Sequence, residues 1–397
     1  MLEHILMIHN FYQSHAPSGE DAVFREDEKL LRAKGHKITL FAKHSDSINE
    51  FSALKKMALA WKITWSRESY TKLDKLIKQN KPDIAHICNT FPLISPSVYY
   101  VCHKHGIPVV QTVQNYRLFC ANGILFRENK VCEECLGHNK VHALSYGCYR
   151  NSRLQTFPLT FMQQFHKWIG TWSRFVDIYI PATEFSRQKL IEGGLPPERI
   201  EVKPNFFLDM PEPSYNHDNY VAFFGRLSIE KGLRTLLNAW KDLNEIPLKI
   251  VGDGILREEI ENTIKSMNNP NIEFLGFRPH EECLEILKYA KFMVMPSEWY
   301  EGFPMTIREA FACGKPVIAS RMGAMAEIVT DGKTGLLFET GNTHDLAEKV
   351  KWLYEHEDHV VDMGKNARSE FEEKYTAEKN YEILMKIYEK AIRIHKK

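Results

Sequence analysis

The chain of 397 residues has no run of about 18 apolar residues, so no segment is built to cross a bilayer as a helix. Its opening stretch, MLEHILMIHN, is too short for a secretory leader, with no basic segment before it and no cleavage site after it. The expectation is a cytoplasmic protein whose eight cysteines stay reduced. An excess of one charge is also missing. The 52 Lys+Arg against 51 Asp+Glu leave a net charge of +1, which argues against a surface built throughout for nucleic acid. No Asp-x-Asp occurs, so the usual carboxylate clamp for a metal-bound nucleotide diphosphate has no support. No Gly-x-Gly-x-x-Gly follows the first apolar run, which removes the fingerprint of a nicotinamide-dependent oxidoreductase. Repeats of solenoid length and low-complexity tracts are absent as well.

What is present is ordinary globular material, 44% hydrophobic and 12% aromatic, with length for two to three domains. Short apolar runs alternate with stretches of helical period. HILMIHN (4–10), 37–42, 83–88, 107–113, DIYIPAT (177–183) and IEVKPN (200–205) read as strands. A polar, Pro-rich stretch, DMPEPSYNHDN (209–219), follows, and the series begins again. In it, 220–224, 248–251, 272–276, 292–296 and 316–320 read as strands, and TGLLFE as a hairpin. Continuous apolar strands separated by helices indicate parallel sheets covered on both faces, hence an α/β protein of two doubly wound domains. The expected division is 1–205, 206–376 and a closing amphipathic helix over 377–397. Charge is unevenly shared: residues 1–205 carry net +8 and residues 206–397 net −7.

The densest chemistry is PSEWYEGFPMTIREAFACG, 296–314. Pro304 suits the first turn of a helix and Gly314 its exit. The turn Glu301-Gly302-Phe303 then leads into a helix N-terminus, a seat for phosphate or sugar oxygens, and Gly302 permits close backbone approach. Glu309, about two turns into the helix, can accept hydrogen bonds from vicinal hydroxyls. The plainer alternative makes Glu301 a dipole partner and Glu309 a solvated side chain. A second group follows the first strand of the second series: GRLSIEKG puts Arg226 and Lys231 at the carboxyl edge of the sheet, where two cations can hold a diphosphate. An isolated Arg or Lys beside a turn is more commonly a surface charge.

Together, GRLSIEKG, VGDG, FLGF, EGFPMTIRE (an E-x7-E signature), GKPVIAS and GAMAE before TGLLF make a pattern that resembles the retaining glycosyltransferases of family GT4. Their architecture is GT-B, two Rossmann-like domains facing a cleft. The resemblance covers nearly the whole chain, including SGED, DIAHICNTFPLISPSV and a Cys-containing insertion over 115–155 in the first half. It implies an acceptor-binding first domain, a nucleotide-sugar-binding second domain, and a final helix returning to the first. It implies that Arg226 and Lys231 bind the donor diphosphate, that Glu309 holds the ribose hydroxyls and that Glu301 contacts the donor sugar. Backbone of the turn Gly302, Phe303, Pro304, Met305 and Thr306, with amides near Phe303–Thr306, would assist, and Gly19 would lie near the diphosphate. His86, Asn89, Gln114 and Asn115 are the expected acceptor or sugar contacts. The implied donor is a UDP- or GDP-sugar, the acceptor a glycan or polyprenyl-diphosphate-linked molecule, with no metal or other cofactor needed for catalysis. A nucleotide-sugar-binding protein without catalysis is the alternative.

One departure stands out. Many relatives have His after the fourth strand, whereas this chain has Thr112-Val113-Gln114-Asn115; glutamine can bind sugar hydroxyls but cannot titrate near neutral pH. His86 is the other candidate there, and reads equally well as a core histidine. Cys120, Cys132, Cys135 and Cys148 have spacing for a structural zinc, against free thiols or disulfides. Two stretches are rich in aromatics. Leu54, Met57, Trp61 and Trp65 with neighbouring lysines suit an amphipathic helix on an anionic membrane, which would make the protein peripheral on the inner face. Phe161, Phe165, Trp168 and Trp172 are expected to face the core.

Overall fold

The computed structural model describes residues 2–14 and 18–396. The chain forms two compact units: residues 1–125, 132–205 and 377–397 make the first, residues 126–131 and 206–376 the second.

In the first unit the strands are β1 (His4–Phe11), β2 (Lys37–His44), β3 (Ile84–Asn89) and β4 (Val109–Val113). The short hairpin of β5 (Phe126–Arg127) and β6 (Lys130–Val131) comes next in the chain and groups with the second unit; β7 (Ile178–Pro181) completes the first sheet. That sheet is parallel, in the order β2-β1-β3-β4-β7. Every residue of β1 and β4 is buried, as a central strand covered on both faces requires, whereas the edge strand β2 alternates. One face is covered by helix Ala377–His395, whose Leu384, Ile387, Tyr388 and Ala391 repeat at helical spacing against Ile5, Met7, Ile84, Val110 and Ile178.

The second unit holds β8 (Val221–Phe224), β9 (Leu248–Val251), β10 (Ile272–Gly276), β11 (Phe292–Met295), β12 (Val317–Ser320) and β13 (Gly335–Phe338). All pair in parallel, in the order β10-β9-β8-β11-β12-β13. The strand order reverses beside β8, between it and β11. A crevice opens at such a point because successive crossovers leave to opposite sides of the sheet. The first unit has the same kind of switch between β1 and β3.

Two readings need correction. TGLLFE is not a hairpin: residues 335–338 are a parallel edge strand against β12. IEVKPN contributes only a single bridge, Tyr179 with Ile200. Between β2 and β3 the chain forms a short 3-10 turn followed by helices Ala53–Lys62 and Arg67–Gln79, each helix opened by a serine cap.

Candidate functional site

The loops leaving β8 and β11 carry the residues singled out in the second unit, on either side of its switch point. From β8 the chain runs through Gly225-Arg226 to a 3-10 turn, Ile229–Lys231, and into helix Leu233–Ala239. Gly232 joins the two turns at φ +70, and a Cβ there would collide with the Pro296 carbonyl beyond β11. The close approach that only glycine allows brings the two loops together.

Glu301 is buried, and one of its oxygens, Oε1, gathers three donors: Lys231 Nζ at 2.6 Å, Ser297 Oγ at 2.9 Å and Trp299 Nε1 at 2.9 Å. Lys231 also lies over the Trp299 ring, 5.6 Å from its centroid. Arg226 is anchored lightly, by Glu230 at 3.1 Å, with its side chain 64% exposed. Ser228 Oγ donates to the same Glu230 oxygen at 2.6 Å, fixing that carboxylate from below. Helix Met305–Ala312 starts one residue later than expected. Pro304 sits at its cap and has no side-chain acceptor for the first-turn amides. Glu309, on that helix, accepts from His280 Nε2 at 3.2 Å and lies 3.6 Å from Arg308. Phe303 is buried and packs edge-on to Tyr375, so its side chain serves the fold. Thr306 Oγ1 donates to Met295 Sδ at 3.3 Å.

In the first unit, the carboxyl ends of β3 and β4 enclose a small polar cavity of about 60 Å³, lined among others by Glu20, Asn89, Gln114, Asn115 and Arg117. Gly19 opens helix Gly19–Ala33 under a Ser18 cap, and a Cβ at that glycine would meet open space. Asn89 is committed to the loop, donating to the Asn10 carbonyl at 3.0 Å and accepting from the Phe91 amide at 2.9 Å. Gln114 and Asn205 exchange two amide hydrogen bonds, 2.9 and 3.2 Å, so Gln114 is held in one orientation. Asn115 donates to Glu20 and accepts from the Arg117 amide at 2.8 Å.

His86 does not join this cavity. It is fully buried, with one ring nitrogen 2.7 Å from Tyr388 Oη and the other 2.7 Å from Thr112 Oγ1. With both nitrogens engaged it is a core histidine, and burial pulls its pKa down to about 4. The zinc expectation gains no support from the geometry. Cys120, Cys132, Cys135 and Cys148 form no disulfide, and among the described residues no group of three or more His, Cys, Asp or Glu side chains is arranged to hold a metal. Cys120 Sγ instead donates to Asn122 Oδ1 at 2.8 Å, and burial pushes the Cys135 thiol up, which favours its protonated form.

Sequence reasoning overlooked Glu20. Burial raises its pKa, and Tyr12 Oη donates to it at 3.2 Å. The signal was available in SGED, an acidic residue in a first helical turn, but nothing local tells that residue's burial from a solvated one. Ser297 and Trp299 were likewise overlooked, although they stand in the same loop as Glu301.

Known proteins resemble the chain over both halves. Residues 208–370 match the model of glycosyl transferases group 1, and residues 28–207 match that of glycosyltransferase family 4. An uncharacterized glycosyltransferase of Methanocaldococcus jannaschii is 39% identical over 171 residues, 43% of this chain and 48% of that protein. A D-rhamnosyltransferase of Pseudomonas aeruginosa is 30% identical over 160 residues, 40% of this chain and 42% of that protein. The matched stretches thus span under half the length of these curated relatives. Among solved structures, an Anabaena protein in complex with UDP superimposes with a TM-score of 0.66 at 17% identity, covering 96% of this chain and 98% of that one. At that identity the likeness speaks for the fold, which is GT-B. The two family models meet end to end and between them cover residues 28–370, so the chain belongs to the group 1 and family 4 glycosyltransferases.

Proposed function

We propose that the protein is a retaining glycosyltransferase that moves a hexosyl group from a nucleoside-diphosphate sugar to a glycan or polyprenyl-diphosphate-linked acceptor in cell-surface polysaccharide synthesis. The observation that carries this is the convergence of Lys231 and Glu301, 2.6 Å apart, at the switch point of the second unit, with Arg226 exposed beside them. The second unit is the donor-binding one in this reading, and the first unit takes the acceptor. UDP or GDP is the favoured nucleotide, in keeping with the UDP bound by the Anabaena protein.

In this reading Arg226 and Lys231 hold the diphosphate, Arg226 as a fork and Lys231 as a point charge. Negative charge grows on the diphosphate as the bond to the sugar breaks. Fixed cations and the Met305–Ala312 helix end stabilise it where it forms, so the chain's own groups take the place of a metal clamp. Glu301 then orders the donor-sugar hydroxyls and Glu309 the ribose hydroxyls, with backbone from Gly302 to Thr306 alongside.

Retention by double displacement needs a carboxylate nucleophile. Glu301 is poorly suited, because its Oε1 is engaged by three donors. Front-face attack fits better: the anomeric carbon–phosphate oxygen bond breaks, the acceptor oxygen bonds to the same face, and its proton passes to a donor phosphate oxygen. A trapped glycosyl-enzyme in the Glu301→Gln variant would overturn this.

The deciding experiment is a panel of UDP-, GDP-, ADP- and dTDP-sugars, read first by thermal shift and then by release of nucleoside diphosphate. An enzyme shows turnover with its best binder. A thermal shift without release from any donor supports the non-catalytic binding protein instead.

A further inference from the structure

Helix Ala53–Lys62 has no buried residue at all, although Leu54, Met57 and Trp61 make a regular apolar stripe along it. Such a stripe normally faces a core. Here Leu54 is 78% and Trp61 62% exposed. Beside it lies helix Arg153–Trp168, where Phe161 and Trp168 depart from the expectation that this second aromatic stretch packs inward, while Trp172 beyond it is buried as expected. Its inner face (Leu159, Met162, His166) is buried, but Leu154, Phe157, Phe161 and Trp168 point outward, Trp168 76% exposed. The two stripes are continuous, since Trp61 meets Phe161 edge-on at 6.1 Å and Phe161 stacks on Phe157 at 6.2 Å. A contiguous apolar face of this kind marks an interaction surface.

Charge identifies the occupant. No Asp or Glu occurs between Glu134 and Asp177, while Arg150, Arg153, Lys167 and Arg174 do, all four exposed. Helix Ala53–Lys62 carries Lys55, Lys56 and Lys62 and no acidic residue. Phe and Leu in a band, Trp at its ends and Lys or Arg around it match an interface of hydrocarbon under anionic headgroups. A neutral apolar protein groove would leave those cations without partners.

We infer that helices Ala53–Lys62 and Arg153–Trp168 form a platform that seats the first unit on an anionic lipid bilayer. This deepens the proposal of a lipid-linked acceptor and rests on that reading for its purpose, while the surface itself is read from exposure and charge. The second helix ties platform to site. Met162 on its inner face lines the polar cavity, and Gln163 Nε2 donates to the Arg117 carbonyl at 2.6 Å. A lipid-linked acceptor held at the bilayer would therefore enter the first unit one helix thickness from the cavity.

The test is flotation of the full chain with vesicles of phosphatidylcholine alone and of equal parts phosphatidylcholine and phosphatidylglycerol. Two variants are compared: Trp61→Ser with Trp168→Ser, and Lys55→Gln with Lys56→Gln and Lys62→Gln. The parent is expected to float with the anionic vesicles and less in high salt. The tryptophan pair should lose about tenfold in binding and the lysine triple should lose its salt dependence. The exposed positions should leave the melting temperature unchanged. Failure of the parent to float, or equal flotation by the tryptophan pair, would overturn the platform. So would a dimer, seen by sedimentation, that the tryptophan changes dissolve, because the face would then belong to a second copy. Donor turnover without vesicles is measured in parallel. Flotation without turnover sinks the enzyme and keeps the platform, and turnover without flotation does the reverse.

Discussion

Lys231 and Glu301, seventy residues apart in sequence, share a hydrogen bond of 2.6 Å, with the carboxylate buried and the lysine over Trp299. Neither group is set without the other. Lys231→Ala should lower kcat by about 10²–10³ through loss of diphosphate stabilisation and release of Glu301. Glu301→Ala should fall in the same range, and the double variant should be no worse than the worse single. Additive losses in steady-state kinetics would separate the two roles.

Glu309 predicts a different pattern. If it holds ribose hydroxyls, Glu309→Ala removes binding common to ground and transition states. The dissociation constant for the nucleoside diphosphate, measured by calorimetry, should rise roughly tenfold while kcat moves little. A fall in kcat with unchanged nucleotide affinity would contradict that role.

His86 makes stability depend on pH. Burial lowers its pKa from the usual 6.5 to about 4, with Asp27 opposing and Lys203 reinforcing the shift. The unfolded chain takes up a proton below about pH 6.5 that the folded chain refuses, so this contribution is complete above that value and is lost as pH falls toward 4. The loss is on the order of 3 kcal/mol. Urea unfolding at pH 7 and pH 5 should show a smaller difference for His86→Gln than for the parent. Tyr388→Phe, which leaves one His86 nitrogen unpaired, should cost about 1–3 kcal/mol at pH 7.

Lys203 and Asp27 form a fully buried ion pair at 3.1 Å, and Lys203 also reaches Asn380 of the closing helix at 3.1 Å. Lys203→Met strands a buried carboxylate and should destabilise by about 3–5 kcal/mol. Combining it with Asp27→Leu should recover much of that loss in denaturant melts, because the penalty lies in the unpaired charge.

What the sequence determined by itself was what repeats or stays local. Buried parallel strands appear as unbroken apolar runs, and caps and stops as single residues, so two doubly wound series and the loops with Arg226, Lys231 and Glu301 were legible from position alone. Which strand is an edge was not, because GLLF has the same apolar pattern as a hairpin arm or a parallel edge strand, and only pairing with β12 decides it. The same limit applied to side chains whose role depends on a distant partner. His86 reads as a site residue until Tyr388, 302 positions away, occupies its ring nitrogen. Glu20 became notable only through Asn115 and desolvation, and spacing alone cannot say whether four cysteines converge on one centre. The two aromatic stripes have nearly the same periodicity as core helices. Which face of each meets the protein and which meets solvent is set by tertiary packing, since periodicity identifies a face without saying what covers it.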